Sequence, residues 1–467
     1  MLKGLEISVV KFSDIKNDNK ELRIEAEHYQ HKYQNLISKL DTNFAYLKDL
    51  VLKPIQTGHT PSMKDPRFYG GIIKFIKTDN LRENEIKEPF KNYLSELGNS
   101  EIKRTELQEG DIITTIIGAT YDVIARSCIV RKSHLPANIN QNIAHIRPDI
   151  SKINPEFLNI YLNSKYGKMY FEYLSRQMEQ VNLNCEEVGM VRVPLFSDKF
   201  QSQIDNVVKN AHSTNEKSKS LYSQAEDLLY YHLGFKDLKL NSTSHTIKKF
   251  SDFTQSGRLD ADYYQSKYDV LFERLSKVDC KIIKDIKVVN YRGFQPKYVD
   301  NGKIDVINSK HILDDGLDYD NFEKTDEISY NEVKRSHVRY GDILTYTTGA
   351  NIGRTQVYLS DKKAMASNHV NMLRVKDVNP IYLALVLNSM IGRMQTERAC
   401  SGTAQVELYP EDIENFIIPI LSSTIQEEIA DLVQKSFEYK KQSKRLLQEA
   451  KQVVEAEIEK KKANANE

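Results

Sequence analysis

Short apolar runs, separated by glycine, proline and asparagine, make up most of the chain. Runs such as GIIKFIKT at 71–78 and GDIITTII at 110–117 are rich in β-branched residues and have the length of strands. Two other stretches, 154–167 and 379–392, open with Asn-Pro, a good helix start because asparagine can cap the first turn and proline fits its first position. Each is predicted to form a helix that ends near its final glycine. This mixture predicts an α+β fold.

Two longer stretches have a different apolar spacing. From residue 200 and again from residue 425, apolar or small residues recur at alternating intervals of four and three, which is typical of a coiled-coil seam. The predicted seam positions are Phe200, Ile204, Val207, Ala211, Thr214, Ser218, Leu221, Ala225 and Leu228, and then Ile425, Ile429, Leu432, Ser436, Tyr439, Ser443, Leu446, Ala450 and Val453. We expect two long helices that pack antiparallel against each other, with one globule at each end. The alternative is that each helix packs on its own globule.

The chain is an internal duplication. GDIITTIIGA at 110–119 recurs as GDILTYTTGA at 341–350, and RIEAEHYQHKY at 23–33 recurs as RLDADYYQSKY at 258–268. Single residues recur in the same order, namely Gly58, Pro61, Gln180 and Leu183 as Gly293, Pro296, Gln405 and Leu408. The period is far longer than that of a solenoid repeat, so each copy is predicted to be a globule of domain size.

Composition narrows the protein class only slightly. The 467 residues are 40% hydrophobic, and 66 basic residues are balanced by 65 acidic ones, so any nucleic-acid binding requires local sorting of charge. The four cysteines are far apart and have no zinc-site spacing, which favours free thiols in a reducing compartment. We expect a cytoplasmic protein, because no signal peptide and no membrane-length apolar stretch is recognisable.

Two similar but non-identical globules held at a fixed separation suit a target with two parts, and DNA is the obvious polymer. The order of elements supports this interpretation. G-D-I-[IL] with its glycine loop, N-P-x-[FY]-L-x-x-x-L-N-S-x-x-G, and a Pro-x-x-Ser step into a Gln-x-x-Ile helix occur twice and in the same order, over about residues 8 to 460. This set closely resembles the specificity subunit of type I restriction-modification systems.

The resemblance implies two tandem, pseudo-twofold-related target-recognition domains joined by two long antiparallel coiled-coil helices. It also implies that the chain itself is not catalytic. The partners it implies are double-stranded DNA with a bipartite, interrupted site, two methyltransferase subunits, and restriction or translocase subunits. No cofactor is expected in this chain, and S-adenosylmethionine, ATP and Mg²⁺ are expected in the partner subunits. The predicted segments are 1–198 for the first recognition domain, 199–236 for the first spacer helix, 237–422 for a linker and the second recognition domain, and 423–467 for the second spacer helix and tail.

DNA contacts are expected from polar, non-periodic segments, because arginine, lysine, glutamine and asparagine can reach phosphates and base edges. The residues predicted for DNA binding are Lys77, Lys103, Arg104, Arg176, Gln177, Gln180 and Asn182 in the first copy, and Arg292, Gln295, Lys297, Lys310, His311, Arg335, His337, Asn351, Arg354 and Gln405 in the second. Each could instead be a solvated surface residue. The repeated glycines Gly110, Gly118, Gly341, Gly349 and Gly353 are expected to be turn residues with positive φ.

Alternatives from other classes remain. The chain could be a coiled-coil adaptor or a specificity-like subunit of another phage-defence complex. Charge sorting distinguishes them, because a DNA reader should turn the acidic segments 96–109 and 314–326 away from its basic residues. An enzyme is disfavoured, since the sequence lacks a methyltransferase [NDS]-P-P-[YF] motif, a P-loop and a repeated nucleophile–histidine pair. No metal site is expected.

Overall fold

A computed structural model describes residues 9–13, 15, 24–41, 43–121, 123–177, 181–236, 245–400 and 406–465, apart from the side chains of 177, 255 and 461–465. The chain divides into two compact units, each containing a globule and parts of two long helices. Unit 1 is Met1–His212 with Ser443–Glu467, and unit 2 is Ser213–Gln442. Each unit mixes helices with short strands, as the sequence predicts. No helix in the described ranges is long and apolar enough to cross a bilayer.

The sheets of unit 1 are small and mostly antiparallel. Its strands are β1 (Phe44–Tyr46), β2 (Gln56–Thr57), β3 (Tyr69–Ile76), β4 (Leu81–Arg82), β5 (Glu85–Ile86), β6 (Tyr93–Leu94), β7 (Ile112–Thr115), β8 (Ile117–Gly118), β9 (Ser127–Ile129), β10 (Ala137–Ile139), β11 (Ile143–Ile146), β12 (Arg176–Gln177), β13 (Val181–Asn182) and β14 (Arg192–Pro194). They form sheets in the orders β2-β11-β7-β9, β10-β3-β6, β12-β13-β8, β1-β14 and β4-β5. Only the pairing of β10 with β3 is parallel among these described strands.

The helices of unit 1 are α1 (His31–Leu40), α2 (Glu96–Glu101), α3 (Pro155–Asn163), α4 (Lys165–Leu174) and α5 (Cys185–Gly189), followed by the first part of α6 (Asp198–Leu233). Helix α3 is buried along its whole length apart from its first residue. The hydrophobic core around α3 also includes Ile204 and Val208 from α6 and Ala450 and Val454 from the last long helix.

Unit 2 repeats this plan. Its strands are β15 (Cys280–Ile282), β16 (Lys287–Arg292), β17 (Ile304–Ile307), β18 (Ile312–Leu313), β19 (Gly316–Leu317), β20 (Glu323–Thr325), β21 (His337–Val338), β22 (Ile343–Tyr346), β23 (Thr355–Val357), β24 (Ala364–Ala366), β25 (Val370–Val375) and β26 (Ile417–Pro419). Its helices are α7 (Phe250–Ser256), α8 (Ser266–Leu275), α9 (Ile283–Ile286), α10 (Glu327–Glu332), α11 (Pro380–Asn388), α12 (Met390–Cys400), α13 (Pro410–Glu414) and part of α14 (Ser423–Ala465). The sheet β16-β25-β22-β23 has the order of β2-β11-β7-β9.

The predicted helix starts are confirmed, but the predicted ends are wrong. The Asn154 side chain accepts hydrogen bonds from the backbone nitrogens of Glu156 and Phe157, and Asn379 caps α11 in the same way. Helix α3 ends at Asn163 and α11 at Asn388, each just before a repeated serine. The first of these serines, Ser164, caps a second helix, α4. The glycine at 167 lies inside α4, where an added Cβ would overlap the backbone of Leu162. The repeated glycine therefore permits close helix packing and does not end a helix.

Matching hydrogen bonds occur within each of the two units. Gln201 accepts a bond from the backbone nitrogen of Asn154 (2.9 Å), and Gln426 accepts one from Asn379 (2.9 Å). These glutamines lie in the first turns of α6 and α14 and tie each long helix to the N-terminus of the buried helix of its own unit. The duplication therefore extends to individual contacts.

A buried ion pair also occurs in both copies. Asp111 accepts two bonds from Arg147 (2.7 and 2.8 Å), and Asp342 accepts two from Arg374 (both 2.7 Å). In unit 1, His145 also contacts Asp111 at 2.7 Å. Burial favours the neutral acid, but the bonds from Arg147 and His145 outweigh it and hold the pKa of Asp111 below its usual value. Each aspartate thereby fixes the start of a central strand, β7 or β22.

The seam prediction is correct at several positions, which are buried, and one residue early at four others. The buried predicted positions are Ile204, Ala211, Thr214, Ser218 and Ala225 in the first helix and Ile429, Ser436, Ser443 and Ala450 in the second. Within unit 2, Ser218 and Ser436 each donate through Oγ to the backbone oxygen of the other (2.8 Å), while Lys440 donates to Asn215, so the helices run antiparallel there. Within unit 1, Ser443 donates to the backbone oxygen of Ala211 (2.7 Å). The intermediate buried residues are Val208, Leu229, Val433 and Val454, one position after the predicted Val207, Leu228, Leu432 and Val453.

Candidate nucleic-acid interface

Three chain segments meet at one end of the four-stranded sheet in unit 1. Because its strands are antiparallel, the end of β2, the start of β11 and the end of β7 lie side by side. Gly58 N donates to Ile143 O (3.3 Å), Ile116 N to Asn142 O (3.0 Å), and Leu183 N to Ile116 O (3.0 Å). We call residues 57–60, 140–142 and 181–183 the three-loop edge of unit 1.

Unit 2 builds the same edge with the same backbone bonds. Gly293 N donates to Val370 O (3.0 Å), Thr347 N to His369 O (3.2 Å), and Leu408 N to Thr347 O (2.9 Å). The three-loop edge of unit 2 is therefore residues 292–295, 367–369 and 406–408.

A glycine is required where the first loop leaves the sheet. A Cβ at Gly58 would overlap Ile139 O and lie 2.7 Å from Asn140 O, and a Cβ at Gly293 would overlap Ala366 O and lie 2.7 Å from Ser367 O. The close approach explains why this glycine recurs in both copies. The glycines that were predicted to be turn residues have a different role from Gly58 and Gly293. The predicted positive φ is found at Gly110, Gly341, Gly349 and Gly353. Gly118 lies in β8 and does not have a positive φ.

The side chains of the two edges differ although their backbones match. At equivalent positions unit 1 has Thr57, His59, Thr60, Gln141, Asn142 and Asn182, and unit 2 has Arg292, Phe294, Gln295, Asn368, His369 and Glu407. Of these, His59, Gln141 and Asn182 are exposed in unit 1, and Phe294, Gln295, Asn368 and His369 in unit 2. Exposed amides and aromatic rings can bond or stack with bases. The arrangement suits two related readers of different sequences.

Several of the predicted residues of unit 1 lie at or beside its edge. Asn182 belongs to it, and Arg176 lies opposite Asn182 in the pairing of β12 with β13 and binds Glu187 at 3.2 Å. Arg104 is exposed and reaches Thr57 O at 3.4 Å, with Lys103 exposed next to it. Lys77 follows β3, is half-buried and donates to Asn92 (2.6 Å). Gln180 and the side chain of Gln177 fall outside the described residues.

In unit 2, the structure brings two predicted residues into the edge. Gln295 is exposed there, and Arg292 is half-buried, donating to Leu408 O (2.9 Å) and pairing with Glu407 (3.4 Å). The Arg292 guanidinium also lies over the ring of Tyr409, 4.8 Å from its centroid. Lys297 is exposed, but its backbone oxygen accepts a bond from Thr325, which pairs with the first residue of β17. That end of β17 is the one farther from the three-loop edge. Gln405 falls outside the described residues.

Other predicted residues of unit 2 are engaged elsewhere. His311 is buried, and its burial, together with the charge of Lys310, lowers its pKa to about 4, so the imidazole is neutral at physiological pH. His337 is half-buried and stacks on Tyr330 with ring centroids 3.6 Å apart. Arg335 and Asn351 are exposed, and Asn351 accepts a bond from Arg354 (3.0 Å).

The acidic segment 314–326 does not turn fully away from the predicted cations. Asp314 pairs with Arg354 at 2.8 Å, and Glu323 pairs with Lys310. These two cations are therefore partly neutralised by residues of the segment that we expected to face away. Arg104 and Arg335, at equivalent places in the two repeats, have no such carboxylate partner within the described chain.

On the central loops of the two edges, sequence reasoning missed Gln141, Asn368 and His369. The only signal was negative: the stretch NQNIAHIRPD from Asn140 matches SNHVNMLRVKD from Ser367 loosely, in a chain whose flanking segments match well. Within the described ranges, no group of three His, Cys, Asp or Glu side chains could hold a metal ion.

Comparisons with known proteins bear on the family. A family model described as the type I restriction modification DNA specificity domain matches residues 280–452. The resemblance predicted from the sequence is confirmed. This specificity domain includes β15, β26 and all of the three-loop edge of unit 2.

Three similar proteins are described as a specificity subunit, an S subunit and an HsdS subunit. The EcoBI specificity subunit of Escherichia coli is 29% identical over 132 residues, which span 28% of this chain and 27% of that protein. A type I restriction-modification S subunit from M. genitalium matches at 11% identity and TM-score 0.42, covering 90% of this chain and 95% of its own. The HsdS subunit from Thermoanaerobacter tengcongensis matches at 15% identity and TM-score 0.28, covering 90% of this chain and 96% of its own.

Proposed function

We propose that this chain is the sequence-specific DNA-binding subunit of a type I restriction-modification complex and recognises a bipartite, interrupted site. The observation that carries the proposal is the specificity-domain match at 280–452, on a unit whose loop-edge hydrogen bonds recur in unit 1. A repeated frame with different exposed side chains suits recognition of two unlike half-sites.

The proposed architecture has two target-recognition domains and two spacer helices, with the boundaries expected from the sequence. The reciprocal bonds between Ser218 and Ser436 in unit 2, and the bond from Ser443 to Ala211 in unit 1, support an antiparallel spacer. Small residues at these positions let helix backbones approach closely, so the spacer is compact and its length is determined by its residue count.

The proposed partners are double-stranded DNA, two methyltransferase subunits, and restriction or translocase subunits. In this proposal the chain recognises DNA and directs the other subunits to it, and it has no catalytic role of its own. S-adenosylmethionine, ATP and Mg²⁺ would be bound by the partner subunits. The matched family, a DNA specificity domain, supports this division of labour.

Base-resolution methylation mapping tests the proposal. DNA is sequenced from cells that express the chain with the methyltransferase encoded beside it, and from cells that express the methyltransferase alone. We expect a bipartite motif that disappears when the chain is absent. Unchanged methylation, with the methyltransferase active in both strains, would contradict the proposal and favour an adaptor role in another defence complex.

A further inference from the structure

We propose that Gln141 reads an adenine in the half-site recognised by unit 1, with Thr60 as its positioning residue. The inference rests on the proposed function and names one contact within it. At the three-loop edge, the two units share a backbone frame but differ in their side chains.

Gln141 lies at the tip of the central loop of this edge. The loop turns tightly, because Ile143 N donates to Asn140 O (3.3 Å) and Asn142 N to the Asn140 side chain (3.3 Å). Asn140 N in turn donates to Ile76 O (3.3 Å), which anchors the loop to β3. The turn leaves the Gln141 side chain exposed on a backbone that is fixed from both sides.

Thr60 orients the Gln141 amide. The Thr60 hydroxyl donates to Gln141 Oε1 at 2.5 Å, joining the first and second loops of the edge. This bond leaves one lone pair on Oε1, and the amide nitrogen has no partner in the described part of the chain. A side chain that is held in place loses less conformational freedom on binding, so its contact contributes more to affinity.

An acceptor beside a donor is the pattern that matches adenine. In the major groove adenine presents a donor at N6 and an acceptor at N7, which an amide side chain can bond simultaneously. Guanine presents acceptors at both O6 and N7, so the amide oxygen would face an acceptor. Rotating the amide by half a turn would let its nitrogen donate to the Thr60 hydroxyl oxygen, but neither orientation offers a donor to both guanine acceptors. Adenine is therefore the base that the amide matches with both of its polar atoms.

Unit 2 offers a matched position. Asn368 is the equivalent of Gln141, is exposed, and its amide nitrogen lies 3.3 Å from His369 Nε2. The position therefore carries an oriented amide in both units, but a shorter one in unit 2. A change at Asn368 should affect the other half-site.

Methylation mapping of variants tests the inference in the full chain co-expressed with its methyltransferase. We expect Gln141→Ala to relax one adenine position of one half-site, with a roughly ten- to hundredfold loss of preference for adenine there. The second half-site and the gap should be unchanged. Thr60→Val leaves Gln141 in place and should relax the same position, so it tests the inference even if Gln141→Ala accumulates poorly.

Two matched controls separate base reading from general damage. Gln108→Ala changes an exposed glutamine before β7, at the opposite end of the same sheet, and should leave the motif unchanged. Asn368→Ala should alter only the other half-site. An unchanged motif in Gln141→Ala and Thr60→Val, or a change at a position that is not adenine in the wild-type motif, would overturn the inference. Absence of any bipartite motif with the wild-type chain would instead contradict the proposed function.

Discussion

Replacing Gly58 with alanine should disturb the three-loop edge of unit 1 at its base. The new Cβ would overlap Ile139 O and lie 2.7 Å from Asn140 O, where real Cβ atoms essentially never approach within 3.0 Å. Both oxygens belong to backbone, so they cannot rotate aside as a flexible side chain would. The first loop must therefore move away from the central loop that carries Gln141.

The size of the effect follows from what that movement costs. Overpacking a close contact costs about 1–3 kcal/mol. The displacement also weakens the bond from Gly58 N to Ile143 O, which is already 3.3 Å long, at a further cost of about 1 kcal/mol. The sum is about 2–4 kcal/mol, which should lower the Tm of a unit of this size by about 5–15 °C.

Calorimetry and methylation mapping measure the two consequences together. Gly58→Ala should lower the Tm and reduce methylation of the motif, and Gly293→Ala should do the same through unit 2. Gly110→Ala is the control, because Gly110 has φ +87° but open space around it and lies before β7, at the opposite end of the sheet. It should cost about 1–2 kcal/mol through backbone strain and leave the methylation pattern intact.

Two results would refute this reasoning. One is a Gly58→Ala variant with the Tm and methylation of the wild type, which would mean that the loop accommodates a Cβ freely. The other is equal loss of methylation in Gly58→Ala and Gly110→Ala, which would mean that stability alone, and not the geometry of the edge, governs recognition.

Further predictions concern the ion pairs and the long helices. Asp342→Asn leaves the Arg374 guanidinium without its buried counter-charge and should lower the free energy of unfolding by about 3 kcal/mol in urea denaturation, whereas a loss near zero would contradict the pairing. Bonds from Arg147 and His145 outweigh burial and lower the pKa of Asp111 in the folded state below its usual value of 3.8. The stability that this carboxylate contributes is therefore fully present above pH 3.8 and is lost as the pH falls through the lower pKa of the folded state. Asp111→Asn should remove this part of the acid dependence, measured by calorimetry at several pH values. Ser218→Val adds bulk where Ser218 and Ser436 exchange bonds and should lower the free energy of unfolding in urea denaturation more than Ser218→Ala, by about 1–3 kcal/mol against about 1 kcal/mol. Duplicating 212–218 and 437–443 together adds about 10 Å to each helix and should widen the mapped gap by about three base pairs without changing either half-site; an unchanged gap would contradict the spacer proposal.

The sequence predicted those features that depend on a repeated residue with a strict local role. Asn154 and Asn379 recur because both cap helices, as predicted. Gly58 and Gly293 recur because both pass close to a strand end, a role that their recurrence alone did not reveal. Each role imposes one residue type at one position, so duplication leaves it unchanged.

Four positions of the seam were misplaced by one residue, and at two of them the physical reason is simple. Val207 is followed by Val208, and Val453 by Val454, so the apolar pattern alone fits two registers equally well. At these two positions the second valine is the one that packs, since Val208 and Val454 are fully buried and Val453 is 43% exposed. The choice depends on the partner helix, which the sequence of one helix does not contain.

The three-loop edge could not be predicted from sequence because it joins distant segments. In unit 1 it combines 57–60, 140–142 and 181–183, which strand pairing brings together. Polar composition alone selected residues such as His311, which is buried, and Lys297, whose backbone is tied to the other end of β17. Exposure and strand direction, rather than residue type, decide which polar side chains can meet DNA.

Exchange of the first recognition domain tests the central claim, that each unit reads its own half of the site. Residues 20–197 are replaced by the equivalent segment of a relative with a known different motif, and the DNA of cells expressing the hybrid with its methyltransferase is mapped at base resolution. We predict that one half-site becomes that of the relative, while the other half-site and the gap stay as in the wild type. A hybrid that is active but changes both half-sites, or neither, would contradict the account.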